Sequence, residues 1–277
     1  MGRRVTDAIL DCHAKGIITS TTLMANMPAA AYACERARDF PDLGVGVHLT
    51  LSQGRPVLPP DQVPGLVDGE GQFLANAVQR RKLWCDRGGI AEQVEREFEA
   101  QVQRAVDLGL SPTHADSHHG IHKMPVARGA MIRVLKRFDI RRARAATAYY
   151  WTAPDAPWGV RLRRMMQNGR LAHRAAAHAW NRWVLHRSGI RTPDYKVNRP
   201  LLIPSRPTPK EQLLACLASL WPGVSEMAFH PGYPDPDVVD PPHFAGVRDV
   251  DTALVLDPEV VRAVETHGIR LIHFGGF

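Results

Sequence analysis

The 277-residue sequence predicts an α/β fold built from parallel β/α units, and three observations favour it. Strand and helix patterns alternate along the chain, as is typical of parallel sheets with crossover helices. The length is ordinary for one α/β barrel. Hydrophobic residues make up 44% and charged residues 23% of the chain, the balance of a globular protein with a large core. We therefore expect a single domain over residues 1–277, without an internal repeat or a dividing linker.

The first part of the chain alternates helix and strand in four segments. The first helix ends at Gly16, which we expect to act as its C-terminal cap, and it places four residues on one face: Val5, Ala8, Ile9 and Cys12. β-branched residues predict the second segment as a strand, and the fourth is a short apolar strand. The four segments are the helix Val5–Lys15, the strand Ile17–Met24, the helix Pro28–Arg38 and the strand Leu43–Leu49.

A long loop at residues 53–73, dense in proline and glycine, interrupts this alternation. Loops of this length are usually functional or disordered. Apolar residues at i+4 spacing then predict a helix between Gly89 and Gly109. The remaining predicted elements are the strand Pro112–Ser117, the helix Pro125–Phe138, the strand Arg141–Ala145, the helix Pro209–Leu220, the strand Val224–Phe229, a helix opened by Asp257-Pro258 and the strand Ile269–Phe274.

The chain begins directly with a helix, although most later helices follow a strand. A parallel barrel without its first strand has two unpaired strand edges and a partly uncovered core. We therefore expect this fold to lack its first β-strand, and the natural chain to begin further upstream.

The composition of the chain limits its expected cellular location. No apolar stretch reaches the roughly 18 to 20 residues that span a bilayer. The N-terminal segment has no uninterrupted apolar core and no small-residue cleavage site, so it does not resemble a signal peptide, and we expect a cytoplasmic location. The four cysteines form no CxxC pair and are expected to be isolated, mostly buried thiols without a chemical role.

The net charge of +7 is concentrated in one region. The segment from Arg161 to Arg191 contains eight arginines and no acidic residue, and the rest of the chain is nearly neutral. We interpret the segment at about 150–195 as a basic helical insertion, which also contains Trp158, Trp180 and Trp183. Three interpretations of its role are open. They are a solvated charged face, a nucleic-acid patch and a membrane-surface helix. We expect no nucleic-acid partner, and residues 158–191 are a candidate for peripheral membrane contact.

The segment THADSHHGIH, from Thr113 to His122, is the strongest chemical signal. It places four histidines and one aspartate at the end of a predicted strand, where parallel α/β folds gather their functional groups. Imidazole and carboxylate groups are ligands of Zn²⁺ and similar ions. The alternative is a solvated histidine-rich loop. Two more predicted strands end in a histidine, His48 in GVGVHLTL and His230 in EMAFHPGY, and this repetition favours a shared site.

The segments GVGVHLTLSQGRPVLPP, PTHADSHHGIHKMP and EMAFHPGY, in this order, resemble the motifs of the YdjC-like carbohydrate deacetylases. That family includes chito-oligosaccharide deacetylases and a branch associated with hopanoid biosynthesis. The resemblance covers almost the whole chain and is weakest at residues 150–195. It implies a distorted (β/α) barrel, often a homodimer, that holds one divalent metal ion, Mg²⁺ or Zn²⁺.

The resemblance also implies roles for individual residues. His48 and His118 would be metal ligands, and His230 would be the acid that protonates the leaving amine. Asp116 would orient a histidine rather than act as the base. Asn26 is expected to line the substrate site, and His122 to contact substrate or to serve in packing. The roles of His114 and His119 stay open.

The resemblance further implies a third metal ligand and a general base from an Asp-Asp-Phe-Gly motif at the end of the first strand. That motif is absent, and Met1-Gly2 stand where its Phe-Gly would be. We therefore expect this 277-residue chain to bind metal weakly and to turn over little.

The function predicted is metal-dependent hydrolysis that removes an acetyl group from an N-acetylated sugar, either an oligosaccharide or a glycolipid. Amide hydrolysis suits a metal-activated water, a carboxylate base and an acid for the leaving amine. The alternative is a non-catalytic sugar- or lipid-binding barrel. A metal-dependent phosphoesterase is a further enzymatic rival, because histidine and aspartate metal sites also serve that chemistry.

Overall fold

The computed structural model describes residues 2–144, 148–149, 158, 172–197, 208–235 and 246–277. The α-helices of this part are α1 Arg3–Lys15, α2 Ala30–Ala37, α3 Asn76–Lys82, α4 Ile90–Asp107, α5 Pro125–Arg137, α6 Ala172–Arg187, α7 Pro209–Leu217, α8 Val247–Leu256 and α9 Pro258–Thr266. The strands are β1 Ser20–Leu23, β2 Gly44–Leu49, β3 Ala115–Ser117, β4 Ala148–Tyr149, β5 Tyr195–Val197 and β6 Ser225–Met227. Short 3-10 helices occupy Pro60–Gln62, His118–Lys123 and Phe274–Gly276.

Every described strand pair is parallel, which confirms the predicted α/β class. The strands form two sheets, β1-β2-β3 and β4-β5-β6, each in chain order. Two isolated parallel bridges, Ala115 to Ala143 and Arg142 to Arg191, place residues 141–144 between the first sheet and the segment that leads into β5. Closure of these strands into a barrel, and a single domain over residues 1–277, stay predictions.

Local signals placed several helices well. α4 begins after Gly89, whose φ of 72° is left-handed, and Gly109, with φ 87°, follows its end. The predicted start of the last helix at Asp257-Pro258 is confirmed, and the side chain of Asp257 caps it by accepting a hydrogen bond from the amide of Glu259. Gly16 does end α1, but its φ of −128° is not left-handed. A Cβ there would lie 2.3 Å from the carbonyl oxygen of Val255, so close packing against α8 requires glycine.

The predicted strand Ile269–Phe274 is wrong. The segment runs without ladder hydrogen bonds into the 3-10 helix Phe274–Gly276. Hydroxyl groups attach it to the start of β1 instead: Thr19, just before the strand, donates from Oγ1 to the carbonyl of Ile272 at 2.7 Å, and the amide of Phe274 donates to Ser20 Oγ at 3.0 Å. Of the predicted strand Arg141–Ala145, only the bridges at Arg142 and Ala143 form, and residue 145 lies outside the described residues.

The core has two parts, and the larger supports the first sheet. Its fully buried side chains include Phe98 of α4, Met131 and Leu135 of α5, and Leu49 of β2. A smaller cluster joins α7, α8 and α9. Three of the four cysteines, Cys12, Cys34 and Cys216, are buried free thiols and only Cys85 is exposed, as predicted.

The long loop after β2 is ordered by polar side chains from the core. Glu97 of α4 is fully buried and accepts hydrogen bonds from the amides of Val57 and Leu58, at 2.9 and 3.1 Å. Gln79 of α3, also fully buried, donates to the carbonyl of Leu51 at 2.7 Å. A loop fixed in this way can form one wall of a binding site.

Candidate active site

The parallel register brings His48 and Asp116 together. They are direct partners across β2 and β3, near the carboxyl ends of both strands. His48 Nδ1 lies 2.5 Å from Asp116 Oδ1 and 3.3 Å from Thr22 Oγ1 of β1. A carboxylate only accepts hydrogen bonds, so we assign the imidazole proton to Nδ1. The other ring nitrogen, Nε2, then carries the lone pair that can bind a metal.

Asp116 is itself held by an arginine that also contacts β6. Arg144 Nη1 lies 2.7 Å from Asp116 Oδ2, and its Nε donates to Glu226 Oε1. Burial raises the pKa of Asp116, but its interactions with His48 and Arg144 outweigh burial and keep this pKa far below its usual range. Asp116 is therefore a permanent anion beneath His48.

His118 begins the turn that follows β3, and its ring lies against that of His48. The two ring centroids are 5.5 Å apart in an edge-on arrangement. Burial, followed by the charges of His119 and His48, lowers the pKa of His118 to about 3. The ring is therefore neutral near pH 7. The next residue, His119, has a left-handed φ of 53°, an uncommon conformation for a residue with a side chain.

Two imidazoles that bind one Zn²⁺ at ~2.0–2.1 Å have ring centroids ~5 Å apart. The separation of His48 and His118 meets this condition. The Asp116 carboxylate behind His48 is the partner that metal-bound histidines usually have. Within the described ranges, no group of three or more His, Cys, Asp and Glu side chains could hold a metal ion. These residues therefore offer two nitrogen ligands and one orienting carboxylate.

His230 is linked to Asp251 and acts electrostatically on His118. Its backbone amide donates to Asp251 Oδ2 of α8 at 2.7 Å, and its ring Nδ1 lies 3.7 Å from the same oxygen. Its side chain is 48% exposed, whereas that of His48 is 15% exposed. The charge of His230 also acts on the pKa of His118, so the two rings share one electrostatic environment. Of His48, His118 and His230, only His230 is exposed to solvent.

The two residues predicted to bind substrate have structural partners. His122 is 4% exposed, and its Nδ1 lies 2.6 Å from Ser117 Oγ, which places the ring in packing, one of the two roles expected for it. The Asn26 amide donates to the carbonyls of Gln53 and Arg55 at 2.9 and 3.0 Å and so fixes the start of the long loop. Contact of either residue with substrate stays a prediction.

Sequence reasoning missed Arg144, Glu226 and Asp251. Each is charged, lies in or directly beside a secondary-structure element, and pairs with a residue far along the chain. Glu226 and Asp251 are buried, at 7% and 0% exposure, and buried carboxylates are rare without a partner. Their only sequence signal is the position of Arg144, near the carboxyl end of the predicted strand Arg141–Ala145.

Two lysines, Lys123 and Lys196, add positive charge near Arg144. Burial, followed by the charge of Lys196, lowers the pKa of Lys123 to about 8. Burial, followed by the charge of Arg144, also lowers the pKa of Lys196. Lys196 of β5 is the register partner of Glu226 in β6. Positively charged side chains grouped in this way can stabilise negative charge that develops on a bound ligand.

Comparison with known proteins gives a consistent picture. A family model described as YdjC-like protein matches residues 1–266. A carbohydrate deacetylase from Geobacillus stearothermophilus is 29% identical over 276 residues, covering 99% of this chain and 92% of that protein. One from Thermoanaerobacter pseudethanolicus is 26% identical over 270 residues, covering 98% of this chain and 92% of that protein. A crystal structure from Enterococcus faecalis V583, described as a candidate cellobiose-phosphate cleavage protein, superposes with a TM-score of 0.73 at 24% identity. The superposition covers 99% of this chain and 93% of that one, and it supports the fold.

Proposed function

Because the chain belongs to the family of YdjC-like proteins, we propose that it is a hydrolase that removes an acetyl group from an N-acetylated sugar. One observation carries the proposal: the rings of His48 and His118 lie 5.5 Å apart, with Asp116 behind His48. The relatives named carbohydrate deacetylase support the reaction type. An oligosaccharide and a glycolipid are both substrates of the proposed class.

The proposal includes one divalent metal ion held by His48 and His118. When bound, such an ion polarises a carbonyl and lowers the pKa of a water molecule. Mg²⁺ takes mostly oxygen ligands, so the two imidazoles favour Zn²⁺.

Each side chain of the cluster has a defined task in this proposal. Asp116 accepts the Nδ1 proton of His48 and holds the ring with Nε2 outward, and Arg144 holds Asp116. The neutral ring of His118 keeps its lone pair available. His230, exposed and oriented by Asp251, gives a proton to the nitrogen of the leaving amine. The catalytic role expected for Asp116 is thus one of positioning.

A closed barrel and a homodimer belong to the same proposal. The bridge between Ala115 and Ala143 and the bridge between Arg142 and Arg191 support closure, because they join the two sheets through residues 141–144. The homodimer rests on the family resemblance alone.

The test measures acetate released from N-acetylated chito-oligosaccharides and from N-acetylglucosaminyl lipids by the purified protein at its natural length. The metal is first removed with a chelator and then restored as Zn²⁺ or Mg²⁺. We expect activity that depends on the ion and that His118→Ala abolishes together with metal binding, whereas His267→Gln, a change of an exposed histidine after α9, leaves both unchanged. Calorimetric binding of the sugar without acetate release would instead identify a binding protein.

A further inference from the structure

α6 presents an exposed aromatic face. Trp180 and Trp183 are 55% and 52% exposed, and their rings stack with centroids 4.8 Å apart and planes 25° apart. The guanidinium carbon of Arg187 lies 5.9 Å from the ring centroid of Trp183. The three residues are spaced i, i+3 and i+7, so they lie on one side of the helix. Neighbouring exposed tryptophans form a contiguous apolar patch, and such patches often mark interaction sites.

The opposite side of α6 anchors the helix. Asn181 and Leu185 are 8% and 1% exposed. Asn181 Oδ1 accepts a hydrogen bond from Arg128 of α5, and Arg182 Nη2 pairs with Asp194 Oδ1 at 3.0 Å. These contacts hold the aromatic face outward, so its exposure is a fixed property of the fold.

The charged and titratable residues of α6 itself are all basic. The sequence of α6, AHRAAAHAWNRWVLHR, contains three arginines, three histidines and no acidic residue. Within the described part of the chain, no carboxylate forms an ion pair with Arg187. The surface therefore complements a partner that is negatively charged.

The stacking geometry distinguishes between anionic partners. A nucleobase or a sugar ring binds tryptophan by covering a free ring face. The ring of Trp183 already stacks on that of Trp180, and the Arg187 guanidinium lies 5.9 Å from its centroid, so part of its ring surface is occupied within the protein. A bilayer interface needs no free face, because the whole indole enters the headgroup region while cations remain among anionic lipids. None of the described helices is long and apolar enough to cross a membrane, and α6 would lie on the surface.

We propose that α6 docks on an anionic lipid surface, with Trp180 and Trp183 in the interfacial layer and Arg187 among the headgroups. This surface is separate from the chemistry proposed for the histidine cluster. Its test does not involve acetate release, so either proposal can fail without the other.

The experiment is sedimentation of the full chain with phosphatidylcholine vesicles that contain about 30% phosphatidylglycerol or none. We expect binding to the anionic vesicles that weakens as salt is added. Trp180→Ala with Trp183→Ala should lower the partition coefficient on the order of tenfold, because both interfacial anchors are lost. Arg187→Gln should lower it about fivefold on anionic vesicles. The matched control is Trp84→Ala, which removes a tryptophan that is 62% exposed and lies outside α6.

Several outcomes would overturn the proposal. They are no sedimentation with anionic vesicles, equal sedimentation with neutral ones, and an equal loss in the Trp84→Ala control. Binding of a single-stranded oligonucleotide that displaces the protein from vesicles would assign the face to nucleic acid. A dimer that the tryptophan variant dissociates, without vesicle binding, would assign it to a second copy of the chain. Circular dichroism of each variant checks that the fold is retained.

Discussion

His114 offers a direct test of how the core responds to pH. Its side chain is 2% exposed, and its ring stacks on that of Phe274 with centroids 4.0 Å apart and planes 7° apart. Burial lowers the pKa of this histidine from 6.5 to about 4, and the opposing effect of Asp116 is smaller. The folded protein therefore keeps His114 neutral at a pH where the unfolded chain binds a proton.

The sign and size of the effect follow from this difference. As pH falls from 6.5 toward 4, protons bind the unfolded chain first, so the free energy of unfolding falls. The stabilisation is complete above the unfolded pKa and is lost on acidification toward the folded pKa. Near pH 4.5, these two pKa values give a loss of about 2.5 kcal/mol from His114 alone.

The variant His114→Phe keeps an aromatic ring against Phe274 but cannot take up a proton. We expect its free energy of unfolding to fall about 2.5 kcal/mol less than that of the natural protein between about pH 7.5 and pH 4.5. Urea unfolding followed by circular dichroism measures this difference. Other buried histidines titrate equally in both proteins and cancel in the comparison.

His267→Gln is the matched control. This histidine lies on the surface after α9, and the variant retains His114. We therefore expect its free energy of unfolding to fall on acidification as it does in the natural protein. Parallel pH dependences for the natural protein and His114→Phe would refute the reasoning, because His114 would then not be held neutral by burial.

Two further predictions concern the site and the packing of α1. Asp116→Asn should lower metal affinity or acetate release by about 10- to 100-fold, because the amide is a poorer orienting partner for a metal-binding histidine; metal titration and a kinetic assay measure both. Gly16→Ala should destabilise the protein by roughly 1–3 kcal/mol, because its Cβ would meet the carbonyl of Val255 at 2.3 Å. By contrast, Gly129→Ala in the interior of α5 has room, with its nearest contact at 3.4 Å, and should stabilise by about 0.5–1 kcal/mol. Thermal or urea unfolding of both glycine variants gives the comparison, and equal signs would contradict it.

The elements that sequence reasoning placed correctly have local causes. Asp257-Pro258 caps a helix through contacts within a few residues, and glycines at positions 89 and 109 flank α4. The apolar run before His48 also predicts locally that this histidine lies near the end of a strand. Parallel strands present their carboxyl ends at one edge of a sheet, so this position predicts a place in the site.

The errors have non-local causes. Apolar residues at Ile269–Phe274 suit a strand, yet a strand needs a partner edge, and hydroxyl groups of Thr19 and Ser20 make the contacts instead. Arg144 carries no distinguishing mark in a chain with 35 lysines and arginines. Its importance appears only when folding brings Asp116 and Glu226 to either side of it.

The Arg144 bridge has a consequence for when the site becomes complete during synthesis. His48 and Asp116 belong to adjacent strands of the first sheet and can pair once the amino-terminal half has been translated. Glu226, the second carboxylate on Arg144, follows that arginine by 82 residues. A nascent chain can therefore acquire the His48–Asp116 pair early, but Arg144 gains its second carboxylate only after β6 has emerged from the ribosome. Maturation of the site is thereby tied to completion of the polypeptide.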